Sequence, residues 1–125
     1  MKTLKRSAVL LLAAAMLLGC FTITAYAGSE SYTGVYNSKN YYTSLTASGR
    51  TYSAYLSYDD SGKSLRLDGR VTLKDVNSGS FTTDSLLASG YGRISDSDTA
   101  PSGYTTSSAR CSYYINNANI QNFSV

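Results

Sequence analysis

The chain has 125 residues, with eleven Lys or Arg against eight Asp or Glu, twelve tyrosines, no tryptophan and no histidine. The missing histidine rules out Ser-His-Asp and Cys-His nucleophile systems and removes the commonest zinc ligand. Lys2, Lys5 and Arg6 account for three of the basic residues, and the rest of the chain balances at eight and eight. That balance gives no electrostatic case for nucleic acid, an anionic membrane surface or a cationic membrane-disrupting peptide.

In chain order, the basic start is followed by an apolar run over residues 8–21 and then by Ala25-Tyr26-Ala27. Positive start, short apolar stretch and small-x-small triplet together describe a secretory signal peptide cut after Ala27. The run is too short for a membrane span. Residues 1–27 are therefore expected to direct export, and residues 28–125 to form a single secreted domain.

A competing signal lies inside the run. Leu17-Leu18-Gly19-Cys20 resembles the lipobox of bacterial lipoproteins. That resemblance implies cleavage before Cys20, a lipid on its sulfur, and a surface lipoprotein tethered by the residues up to Glu30. Leu18 and Phe21 depart from the usual choices, and the intact triplet at Ala27 favours ordinary secretion of a bacterial protein into the medium.

Beyond Gly28 only sixteen residues are Val, Leu, Ile or Phe, a share low enough to raise disorder. Eleven tyrosines remain there. Tyrosine is a strong strand former that buries a large ring while its hydroxyl keeps a polar partner. The tyrosines are thus expected to build much of the core.

Residues 41–46 form a first, weak strand candidate. Residues 51–58 alternate with Tyr52, Ala54, Leu56 and Tyr58 on one face. Residues 64–74 alternate strictly, with Leu65, Leu67, Gly69, Val71 and Leu73 opposite Arg66, Asp68, Arg70, Thr72 and Lys74. Gly69 suggests a bulge or bend in that strand. Asp59-Asp60-Ser61-Gly62-Lys63 between the two is rich in turn formers and predicts a hairpin. Residues 87–94 are a further weak candidate, with one helical turn at 86–88 as the alternative. Residues 96–103, holding the only proline, read as the longest loop. Residues 110–115 place Cys111, Tyr113 and Ile115 on one face, Asn116-Asn117 suits a tight turn, and residues 118–125 return as a last strand. About six to seven short strands without a convincing helix predict a small antiparallel β-sandwich or barrel. The likeness of residues 44–49 to 85–90 is what Ser/Thr/Gly-rich sequence yields by chance.

Few residues suggest chemistry. Asp96 with Asp98 carries the oxygen ligands calcium takes, and Asp59 with Asp60 nearly does, but neither has EF-hand spacing and both fit turn capping. No metal or cofactor is expected. Once Cys20 is removed Cys111 stands alone, so it is either buried as a small hydrophobe or paired with another molecule. Its phase with Tyr113 and Ile115 favours burial. Tyr41-Tyr42 and Tyr113-Tyr114 are adjacent pairs, so one ring of each must face outward from its strand. Such rings can stack on sugars or fill a partner's pocket. Asn122-Phe123-Ser124 matches a glycosylation acceptor, which matters only in a eukaryotic host.

The sequence thus predicts an exported β domain that is not an enzyme and binds an unidentified protein or glycan. The four paired tyrosines are its candidate site. The alternatives are a toxin or bacteriocin, and a structural protein whose last strand pairs with other copies.

Overall fold

A computed structural model describes residues 26–125. Residues 1–25, which hold Cys20 and all but the last two residues of the export segment, lie outside the described residues. Eight strands follow in order: β1 (Tyr26–Tyr36), β2 (Lys39–Ser48), β3 (Thr51–Tyr58), β4 (Ser64–Asp75), β5 (Phe81–Tyr91), β6 (Arg93–Thr99), β7 (Tyr104–Ile115) and β8 (Ala118–Ser124). They form two four-stranded antiparallel sheets, ordered β1-β2-β3-β6 and β5-β4-β7-β8. The sheets are open and face each other, with β3 against β4 and β2 against β7. The molecule is a sandwich, not a barrel.

Period-two patterning explains the layers. Leu45, Ala47, Tyr52, Ala54 and Leu56 point from the first sheet, and Leu65, Leu67, Val71, Leu86, Tyr113 and Ile115 from the second, into one shared core. Tyrosines complete that core and fasten it. The Tyr113 hydroxyl donates across the sandwich to the Ser44 carbonyl at 2.6 Å, and that of Tyr41 to the Ile120 carbonyl at 3.2 Å. Tyr52 donates to the Asp84 carboxylate at 2.6 Å, and Tyr58 to the Tyr36 carbonyl at 2.7 Å. Each ring thus supplies apolar area while its oxygen is satisfied, as a buried polar group requires.

Tight turns fix the registers. Asn37-Ser38 and Asn116-Asn117 all take positive φ, between 49° and 67°. That is the type I′ geometry whose twist matches the strands it joins. The Gly49 carbonyl accepts from the Thr106 amide at 2.7 Å and from the Thr105 and Thr106 hydroxyls at 3.0 Å. The β2–β3 turn is thereby tied to the start of β7.

Several sequence expectations are corrected. The β3–β4 hairpin is not formed, because the two strands lie in different sheets. Residues 59–63 arch between the layers, with the Asp60 carboxylate accepting from the Gly62 amide at 2.9 Å. Each strand has an apolar row, and facing each other across the core lets the two rows cover one another. Gly69 makes no bulge. Its pairing with Leu86 and Cys111 is regular, and the β4–β7 shift falls at Thr72/Leu73. Gly69 serves close approach instead. A β-carbon there would sit 3.1 Å from the Arg110 carbonyl and 3.2 Å from Cys111 Sγ and Leu86 Cβ.

Residues 96–99 belong to β6 rather than to a loop, and residues 86–88 are strand, not a helical turn. Gly92, at φ +77°, breaks the weak 87–94 candidate into β5 and β6 and sends the chain from one sheet to the other. Sequence reasoning missed β1 and the first half of β5, both in edge strands. Tyr32, Val35 and Phe81 on these segments are exposed, so neither segment carries a full buried row.

Candidate functional site

The outward face of the second sheet carries a row of charged and polar side chains. On β4 the outward row is Arg66, Asp68, Arg70, Thr72 and Lys74, the polar side of the alternation read from sequence. On β7 it is Arg110, Ser112 and Tyr114. Register sets Arg66 opposite Tyr114, Asp68 opposite Ser112, and Arg70 opposite Arg110. β8 adds Asn122 beside Ser112 and Ser124 beside Arg110. Asp68, Arg70, Arg110, Ser112, Tyr114 and Asn122 line an open depression of about 460 Å³.

The Arg66 guanidinium lies 3.8 Å from the centroid of the Tyr114 ring. This cation–π contact holds both side chains flat on the sheet. Asn119 and Asn122 exchange side-chain hydrogen bonds of 3.2 and 3.0 Å, and Asn119 also donates to the Tyr113 carbonyl at 3.2 Å. Those bonds pin the β8 rim where the β7–β8 register shifts at Tyr113/Tyr114. A preformed surface on a paired sheet loses little entropy on binding.

The four sequence-selected tyrosines separate into two kinds. Tyr41 and Tyr113 are buried, and burial pushes both phenols above their ordinary pKa. Tyr42 and Tyr114 turn outward but on opposite sheets, so the structure does not bring them together. Tyr42 is 39 % exposed and packs against Tyr55 with centroids 5.9 Å apart. What sequence reasoning missed was the company of Tyr114. The alternation already placed Arg66 and Arg70 on one face, but the register with Tyr114 and Arg110 appears only once β4 is paired with β7.

Asp96 and Asp98 lie on edge strand β6. Asp96 Oδ2 accepts the Leu87 amide at 2.9 Å, and Asp98 Oδ1 accepts the Thr99 amide at 2.8 Å. Among the described residues no three His, Cys, Asp or Glu side chains are grouped to hold a metal ion. Cys111 is buried, 2 % exposed, and burial pushes its thiol up to about 11. Among the described residues no helix is long and apolar enough to cross a membrane.

Comparison of the chain with protein-family models, with curated proteins and with solved structures gave no match.

Proposed function

We propose that this protein is an exported, non-enzymatic binding module that holds an extracellular partner against the outward β4–β7–β8 face. The observation that carries this reading is the open depression there, lined by Tyr114 and polar side chains held on paired strands. A β-sandwich face of this kind recognises by hydrogen bonding and ring contact, without needing an acid–base pair. Export through residues 1–27 and release into the medium complete the reading, with the lipid-anchored form at Cys20 as its alternative.

Retention on an arrayed panel of polysaccharides and extracellular proteins tests it. Tyr114→Ala should weaken retention at least tenfold, and Tyr42→Ala on the other sheet should leave it unchanged. Loss with Tyr42→Ala alone would move the site to the first sheet and refute this assignment.

A second reading, self-assembly, draws on β5. Phe81, Leu87 and Tyr91 are 61 %, 58 % and 65 % exposed along this edge strand, and exposed apolar edges invite pairing with another copy. Sedimentation velocity distinguishes the two, since a binding module of this design remains monomeric as its concentration rises.

A further inference from the structure

We infer that the partner of the β4–β7–β8 face is a linear polysaccharide bearing carboxylate groups, which Arg70 and Arg110 grip together. This rests on the binding-module reading and specifies its ligand.

The first observation is an unrelieved like-charge pair. Arg70 and Arg110 stand directly opposite each other in the β4–β7 ladder, a register that places their β-carbons ~4.5–5.5 Å apart. Neither guanidinium has a hydrogen-bond or ion-pair partner among the described residues. Like charges in that position destabilise a sheet. An oxyanion bridging the two removes the repulsion, and the flat guanidinium fork matches a carboxylate with two parallel hydrogen bonds.

The second is linear order. Arg66, Arg70 and Lys74 recur every fourth residue on the outward row of β4, which spaces them by ~13 Å along the strand. The depression beside Tyr114 and a second one of about 330 Å³ are both lined by Arg70 and Arg110, so they run into each other across this pair. A chain with regularly repeated anions can lie along β4 and meet a cation at each step.

The third is what separates the cations. Ser112, Asn122 and Ser124 line the first depression and Ser108 the second, supplying donors and acceptors for sugar hydroxyls. Asp68 lies in the same row between Arg66 and Arg70, so the polysaccharide's carboxylates must be spaced to pass it and meet the cations on either side. Tyr114 has Arg66 over one ring face, so a base could not be sandwiched on both faces of this ring.

The test is affinity electrophoresis of the exported protein through gels containing polygalacturonate, dextran sulfate or neutral dextran. Polygalacturonate should retard it, and raising the salt to ~0.5 M should weaken retardation at least tenfold as exposed charges are screened. Arg70→Gln with Arg110→Gln should cost at least tenfold in affinity while raising the melting temperature of the free protein, because the repulsion is gone. Arg93→Gln, on the first sheet, should change neither. Equal retardation by neutral dextran, lost with Tyr114→Ala, would overturn the carboxylate inference and leave the binding face standing. Retardation by dextran sulfate alone, or binding only to duplex DNA or anionic vesicles, would overturn it as well. No retardation in any gel, with Tyr114→Ala and the arginine pair equally silent, would bring down both the inference and the face.

Discussion

Tyr113 shows how one residue holds this small sandwich together. Its ring is wholly buried, packs edge-on against Phe123 at 5.7 Å, and its hydroxyl reaches the Ser44 carbonyl of the opposite sheet. Removing that oxygen deletes a part-buried hydrogen bond between the sheets, which costs about 0.5–1.5 kcal/mol. Tyr113→Phe should lower the denaturation midpoint by that order in urea titration, whereas Tyr55→Phe, on the half-wet outer face, should be neutral. A neutral Tyr113→Phe would show that the cross-sheet bond is dispensable. Cys111 beside it, with its thiol raised by burial to about 11, should resist alkylation at pH 7.5 until the protein unfolds. Fast labelling of the native state would contradict the burial. Much of this was legible from sequence. Two-residue alternation tells which ring of Tyr41-Tyr42 and of Tyr113-Tyr114 points inward, and that Cys111 goes in with Tyr113. It does not tell where a buried hydroxyl ends, because that partner lies on the other sheet.

At the scale of elements, the edge strands decide whether the molecule stays single. β5 and β6 lie side by side at one rim, in different sheets. The Asp96 carboxylate caps the Leu87 amide across that rim at 2.9 Å, and occupying a free edge N–H blunts the edge for a further strand. Asp96→Ala should speed hydrogen exchange at the Leu87 amide and promote association through Phe81, Leu87 and Tyr91. An unchanged exchange rate and a monomeric variant would show that the cap does nothing. Here sequence reasoning reached the strands but not their neighbours. Period two in residues 51–58 and 64–74 says which side is buried, and the acidic link between them fits a hairpin and an inter-sheet arch equally. Asp96 and Asp98 read as loop residues because an edge strand tolerates charge where an interior strand does not.

Over the whole molecule, balanced charge conceals separation. Asp84, Asp96 and Asp98 gather near the Tyr52 hydroxyl at the β5–β6 rim, while Arg66, Arg70, Lys74 and Arg110 occupy the outer face of the second sheet. The zero charge count after Gly28 therefore hid the feature on which the ligand assignment rests. Only the folded register sorts the two signs. The acidic rim also sets an acid limit. The Tyr52 hydroxyl, followed by the Ser85 amide, holds the Asp84 carboxyl below its ordinary value. A depressed folded pKa contributes stability above the unfolded value of about 3.9 and loses it as pH falls through the lower folded value. Stability should therefore be level from neutral pH down to about 4 and decline below it. Asp84→Asn should flatten the decline, and an unchanged acid slope in that variant would remove Asp84 from the account.

The central claim is that the β4–β7–β8 face is where the partner sits. Amide chemical-shift mapping of the isotope-labelled exported protein, titrated with short oligogalacturonates, tests it most directly. The account predicts saturable shifts confined to residues around Arg66, Arg70, Arg110, Ser112, Tyr114 and Asn122, with β2 and β3 silent. Shifts centred on Tyr42 and Tyr55 would contradict it.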